Sequence, residues 1–230
     1  MDWEDIARRM ASMARDLLAQ DSVEATLERI TDSAVEIVEG CDAAGILVLH
    51  DNRTRTLAPT DAGVVLSDEL QGRLGEGPCF EAAHGGSEGG VFRIEDLTAC
   101  HDRWPAFTTE ARELGIGSMM GFLLYTEQDE LGALNLYAKR PAAFTADSET
   151  VGWLLASHAA VALSSARHAD QLHQALDTRH TIGEAMGIVM ERHRLSEDDA
   201  FTALRRLSQE RNVKLRDIAR HVCETGGTDA

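Results

Sequence analysis

The chain has 230 residues, 43% of them apolar, which suits one large domain or an ordinary domain with a small companion. Its formal charge of −17 argues against a general nucleic-acid binder, because a polyanion is repelled by a surface of its own sign. No run of about 18 apolar residues exists, and Met1-Asp2-Trp3-Glu4-Asp5 puts acids where a secretory signal needs bases, so a soluble, cytoplasmic protein without a membrane partner is expected.

Residues 3 to 18 place Trp3, Ile6, Met10, Met13 and Leu17 on one helical face. A second helix is signalled by Ser22 as cap, by the stripe Val23, Leu27, Ile30, Ala34 and Ile37, and by Gly40 as stop. Ala43 to His50 reads as a buried strand, with Asn52-Arg53 as a hairpin turn into 55–59. Seven glycines between Gly72 and Gly90, and the string Gly75-Glu76-Gly77-Pro78-Cys79, predict loop around a short helix. Gly117 to Tyr125 and Glu130 to Ala138 form a central hairpin across a polar turn at 126–129. The order implies an α+β domain: an antiparallel sheet of about five strands with helices layered on it.

A helix starting at Phe144-Thr145-Ala146-Asp147 meets no stop until about His193. Within it Leu154, His158, Val161, Ser165, His168, Leu172, Ala175, Arg179, Ile182, Met186 and Val189 alternate steps of four and three, the spacing of a coiled-coil seam. A homodimer through this seam and the Trp3 helix is expected; one long helix packed on its own domain is the alternative. Ser196-Glu197-Asp198-Asp199 caps a further helix with Ala200, Phe201, Leu204 and Leu207 on one face. A last helix spans Lys214 to Cys223, closed by Gly226-Gly227, with a disordered tail over 226–230.

Charge is unevenly spread. Residues 166–230 hold ten Lys/Arg against eleven Asp/Glu, a net of −1, leaving −16 on residues 1–165. Between 200 and 221 six cations face two acids, a net of +4, so any nucleic-acid surface is local and C-terminal. Cys41, Cys79, Cys100 and Cys223 lie at wide spacings without a Cys-x-x-Cys pair, which predicts reduced thiols, no metal site and no cofactor.

The stretch from Arg179-His180-Thr181-Ile182-Gly183-Glu184-Ala185-Met186-Gly187-Ile188 to Arg192, followed by Ala200-Phe201, Leu204-Arg205 and Asn212-Val213-Lys214-Leu215-Arg216-Asp217-Ile218-Ala219, resembles the ANTAR domain. That resemblance implies a regulator that binds paired hairpin loops in nascent messenger RNA and prevents a terminator from forming. Residues 20 to 165 resemble a GAF domain of the kind found beside ANTAR modules in actinobacteria, on the strings Gly75 to Cys79, Arg103-Trp104-Pro105 and Leu131-Gly132-Ala133-Leu134-Asn135-Leu136-Tyr137. GAF domains are small-molecule sensor and dimerisation folds, so regulation by an unidentified ligand is implied. The expected division is a helix over 1–20, a GAF domain over 21–165, a three-helix ANTAR domain over 166–225 and the tail. Many ANTAR sequences carry Lys where this chain has Met186, which shifts any phosphate contact to Arg179, Arg192 and the later basic residues.

RNA is read in loops, whose splayed bases are stacked while Arg and Lys hold the phosphates. The candidate RNA-binding residues are Arg179, Ala185, Gly187, Arg192, Arg205, Arg206, Lys214 and Arg216. A small residue at 185 or 187 lets a backbone approach, either RNA or a neighbouring helix; the cations are phosphate contacts or a solvated face. Cys79, His101 and Trp104 are candidates for a sensor pocket. Cys79 with His84 or His101 could be drawn as nucleophile and base, but no enzyme constellation emerges. The alternative function is a dimeric protein-interaction regulator without RNA binding.

Overall fold

A computed structural model describes residues 3–50, 53–83, 91–100, 102–126 and 130–227. The chain divides into two compact units, Met1–Arg167 and His168–Ala230.

In the first unit α1 (Trp3–Leu18) and α2 (Val23–Ile37) precede β1 (Ala43–His50) and β2 (Arg53–Leu57). Then come α3 (Ala62–Leu74), α4 (Pro78–Ala83), β3 (Val91–Ile94), a 3-10 turn at Leu97–Cys100, α5 (Pro105–Glu113), β4 (Ser118–Tyr125) and β5 (Glu130–Ala138). All pairings are antiparallel in the order β2-β1-β5-β4-β3. The hairpin after β1 is tighter than expected, because His50 pairs with Arg53, so the strand begins at the residue assigned to the turn. Residues 51, 52 and 127–129, where the two turns fall, lie outside the described residues.

The pleat sends alternate side chains to opposite faces, which sorts the strands into two cores. Ile46, Met120, Phe122, Leu134 and Leu136 join Met13, Leu17, Ile30 and Ala34 of α1 and α2. The first part of α6 (Ala146–His193) closes that layer with Leu155, Ala159, Ala160 and Leu163. Leu47, Met119 and Tyr137 face the other way, onto Val64, Leu70, Phe107 and Ala111 of α3 and α5. Gly132 has φ +130, and a Cβ there would run into the Leu47 carbonyl, so the bulge at this edge of β5 needs glycine.

The second unit packs the last part of α6 against α7 (Glu197–Arg211) and α8 (Leu215–Thr225). Ser196 caps α7 by accepting from the Asp199 amide at 3.3 Å, and Asn212 and Gly226 end α7 and α8 in the left-handed conformation. The core consists of Ala185, Val189, Ala200, Leu204, Ile218, Ala219 and Val222. Of the tail expected from 226, Gly226 and Gly227 are held, since Arg192 donates to the Gly226 carbonyl; residues 228–230 lie outside the described residues.

The seam expected on α6 divides. Leu154, His158, Val161, Ser165, His168, Leu172, Ala175 and Arg179 are exposed, whereas Ile182, Met186 and Val189 are drawn into the core of the second unit. The α1 stripe Ile6, Met10, Met13 and Leu17 is buried in its own unit, leaving Trp3 and Leu18 exposed.

Candidate nucleic-acid interface

The basic residues of the second unit sort by what already holds them. Arg206 pairs with Glu210, and Arg216 and Arg220 share Asp217. Arg192 is clasped to Gly226, tying the end of α6 to the end of α8. Arg179, Arg205 and Lys214 are exposed and have no acidic partner among the described residues. Exposed ion pairs are weak, so the paired arginines can still turn outward to a phosphate, but the unpaired ones do so without competition.

The two small candidates separate. Ala185 is wholly buried among the three helices, where its size serves packing. Gly187 is exposed, and a Cβ there would meet nothing within 4 Å; Gly183, one turn earlier, is equally open. A groove runs over these glycines, walled by Met186 and Met190 of α6 and Phe201 of α7, with Arg179 at its rim. Met186 therefore contributes an apolar wall. Gly183 and Phe201 were not among the sequence candidates: Phe201 reads as core beside Ala200 and Leu204, yet the residue is 38% exposed while both neighbours are fully buried.

In the first unit two of the three candidate pocket residues, Cys79 and Trp104, lie in the interior. Cys79 and Trp104 belong to the core under α3 and α5, and the Arg103 guanidinium stacks 4.5 Å from the Trp104 ring centre. Burial pushes the Cys79 thiol well above its ordinary pKa, so it is no thiolate. His84 and His101 lie outside the described residues. The glycine string has a local explanation: Glu76 accepts from the Ala106 and Phe107 amides at 3.0 and 3.2 Å, capping α5, and Gly77 gives room to Gln71. Gln71 in turn accepts from the Cys79 amide at 2.9 Å.

A buried polar cluster that sequence reasoning missed sits beside Cys79. Asp68 of α3 accepts from the Tyr137 hydroxyl at 2.6 Å and from Thr56 Oγ1 at 2.7 Å. Burial raises its pKa to about 6, against the lowering effect of those hydrogen bonds. Ser67 Oγ, Gln71 Nε2 and both amide atoms of Asn135 are buried there without a geometrically sound hydrogen bond among the described residues. Among the described residues no group of three or more His, Cys, Asp or Glu could hold a metal ion.

The sequence pattern of the GAF domain matches residues 20–164, well over half of the chain. The chain belongs to the GAF domain family. The pattern of the ANTAR domain matches residues 170–222, so a GAF sensor domain and an ANTAR domain, a known RNA-binding antiterminator domain, are both present.

Solved structures agree with the GAF fold. The GAF domain of a phosphoenolpyruvate-protein phosphotransferase from Coxiella burnetii is 16% identical, with a TM-score of 0.56 over 74% of this chain and 99% of that one. The chromophore-binding domain of an unusual bacteriophytochrome from R. palustris is 10% identical, with a TM-score of 0.55 over 73% of this chain. The chain spans 62% of that structure's length. The phytochrome photosensory core module of Stigmatella aurantiaca is 9% identical, with a TM-score of 0.62 over 95% of this chain and 46% of that one. At these identities the likeness is one of fold. Among curated proteins none is significantly similar. No helix among the described residues is long and apolar enough to cross a membrane.

Proposed function

We propose that the chain is a transcription antiterminator of the actinobacterial GAF-ANTAR type, acting in the cytoplasm as a homodimer whose two ANTAR domains hold the paired hairpin loops of a leader RNA. The observation that carries this reading is an open groove with the exposed Arg179 along it, on an ANTAR domain that also exposes Arg205 and Lys214, none of the three with an acidic partner among the described residues of an otherwise acidic chain. Local positive charge supplies the sequence-independent part of RNA affinity, and the groove supplies a place for loop bases.

Dimerisation is supported by the exposed strip of α6, where Leu154, Val161 and Leu172 are 42%, 61% and 60% exposed at heptad spacing. The GAF domain regulates by binding a signal more tightly in one packing or dimer state than in another. The buried, protonated Cys79 supports a regulator rather than a thiol enzyme.

The test is a gel shift with a two-hairpin leader RNA, repeated with Arg205, Arg206 and Lys214 changed to Ala. The wild type is expected to retard the RNA and the triple variant to lose most of that affinity. Equal binding by both proteins, or none by the wild type, would favour a protein-interaction regulator instead.

A further inference from the structure

Glycine weakens the interior of a helix relative to alanine, and it persists there for packing or for function. At Gly183 and Gly187 packing gives no reason: both are exposed, and a Cβ on either would meet nothing within 4 Å beyond its own helix backbone. They lie one turn apart and leave a bare strip of α6 as the floor of the groove.

What borders the strip is chemically lopsided. Phe201 offers an exposed aromatic ring on one wall, and Arg179 stands one turn before Gly183. Arg205 follows Phe201 by one turn on α7. Neither arginine has an acidic partner among the described residues. Glu197 lies in the same groove, where it disfavours phosphate and offers an acceptor to an exocyclic amino group. The depression on the α8 side of Gly187 is lined by Glu184 and Glu191, with Arg192 already held by Gly226, so it repels a polyanion.

We infer that the Gly183–Gly187 strip and Phe201 seat one unpaired base of the RNA loop: its face lies on the Phe201 ring, its edge lies over the glycine backbone, and Arg179 and Arg205 take the flanking phosphates. This rests on the RNA-binding reading above and adds a base-specific contact to it. An aromatic ring with cations at its margins is the combination that holds single-stranded bases. A methyl group at 183 or 187 occupies the space the base needs.

The experiment uses the full chain and a pool of two-hairpin RNAs with randomised loops; the enriched sequence is remade with 2-aminopurine at each loop position in turn. Gly183→Ala and Gly187→Ala are expected to raise the melting temperature of the ANTAR domain and yet weaken binding, a split that loss of folding cannot produce. Phe201→Leu is expected to weaken binding about tenfold, while Phe201→Tyr keeps it. One loop position is quenched by the wild type and Phe201→Tyr, but not by Phe201→Leu. Unchanged affinity in the glycine variants, or equal binding by the Tyr and Leu variants, overturns the base seat with RNA binding intact. No enrichment of any loop by the wild type overturns the RNA reading itself, and the base seat with it.

Discussion

The Tyr137 hydroxyl donates to Oδ1 of Asp68 across 2.6 Å, joining central strand β5 to α3 in the interior of the GAF domain. Around this carboxyl stand Thr56 of β2, Asn135 of β5, Ser67 and Gln71 of α3 and Cys79 of α4, none of them a cation. Burial pushes the Asp68 carboxyl up from the ordinary aspartate range to about 6, so the folded state favours the protonated form. The resulting stability is fully present below pH 4 and is lost as pH rises through 6, with a difference of about 2–3 kcal/mol. Urea unfolding followed by tryptophan fluorescence tests this, because Trp3, Trp104 and Trp153 all lie in the first unit. Wild type is expected to weaken between pH 4 and 6, and Asp68→Asn to lose most of that slope. An unchanged slope in the variant would place the titration elsewhere.

The thiols give a second check on the interior. Cys41 and Cys79 are buried, and burial pushes Cys41 up to about 12 and Cys79 well above its usual value. Cys100 and Cys223 are only partly buried. With a disulfide reagent at pH 8, at most two of the four thiols are expected to react before unfolding, and Cys79→Ala to leave that count unchanged. Rapid labelling of Cys79 in the native chain would contradict its placement.

A third prediction concerns the α6 strip. Val161→Glu with Leu172→Glu changes residues that are already more than half exposed, so the folded protomer is expected to persist while the dimer dissociates. Sedimentation gives the mass and circular dichroism the fold. A dimer that survives both changes would have its seam elsewhere.

The salt dependence of RNA binding counts the cations that meet phosphate. Five contacts on a single strand give a slope of about −3.5 in log affinity against log salt, and removing Arg205 or Lys214 lowers its magnitude by about 0.7 each. A slope near zero in the wild type would remove the electrostatic part of the interface.

What the sequence disclosed and withheld follows from what each residue's partners are. The bounds of α6 were readable because Phe144 to Asp147 and His193 carry local start and stop signals, and Ser196 announced α7 in the same way. Two helices went unread although Asp61 caps α3, Gly75 ends it and Pro105 opens α5. The buried face of α3 mixes Val64 and Leu70 with Ser67, Asp68 and Gln71, which hides its periodicity. The cap of α5 comes from Glu76, 30 residues upstream of Ala106. Within the site, spacing put Phe201 with Ala200 and Leu204, but a helix face does not state where its buried sector ends. For the same reason the heptads of α6 did not reveal that Ile182, Met186 and Val189 are covered by α7 and α8 rather than by a second chain.

The Arg192 clasp on Gly226 also bears on how the ANTAR domain can be excised. The recognised pattern ends at residue 222, but a fragment cut there discards the carbonyl that holds the guanidinium and the left-handed glycine that stops α8. Its last turn would fray, and Arg192 would swing free as an additional cation that the intact protein keeps engaged. The shortest faithful fragment therefore runs through Gly227, and RNA affinities measured on anything shorter would carry a charge that belongs to the cut.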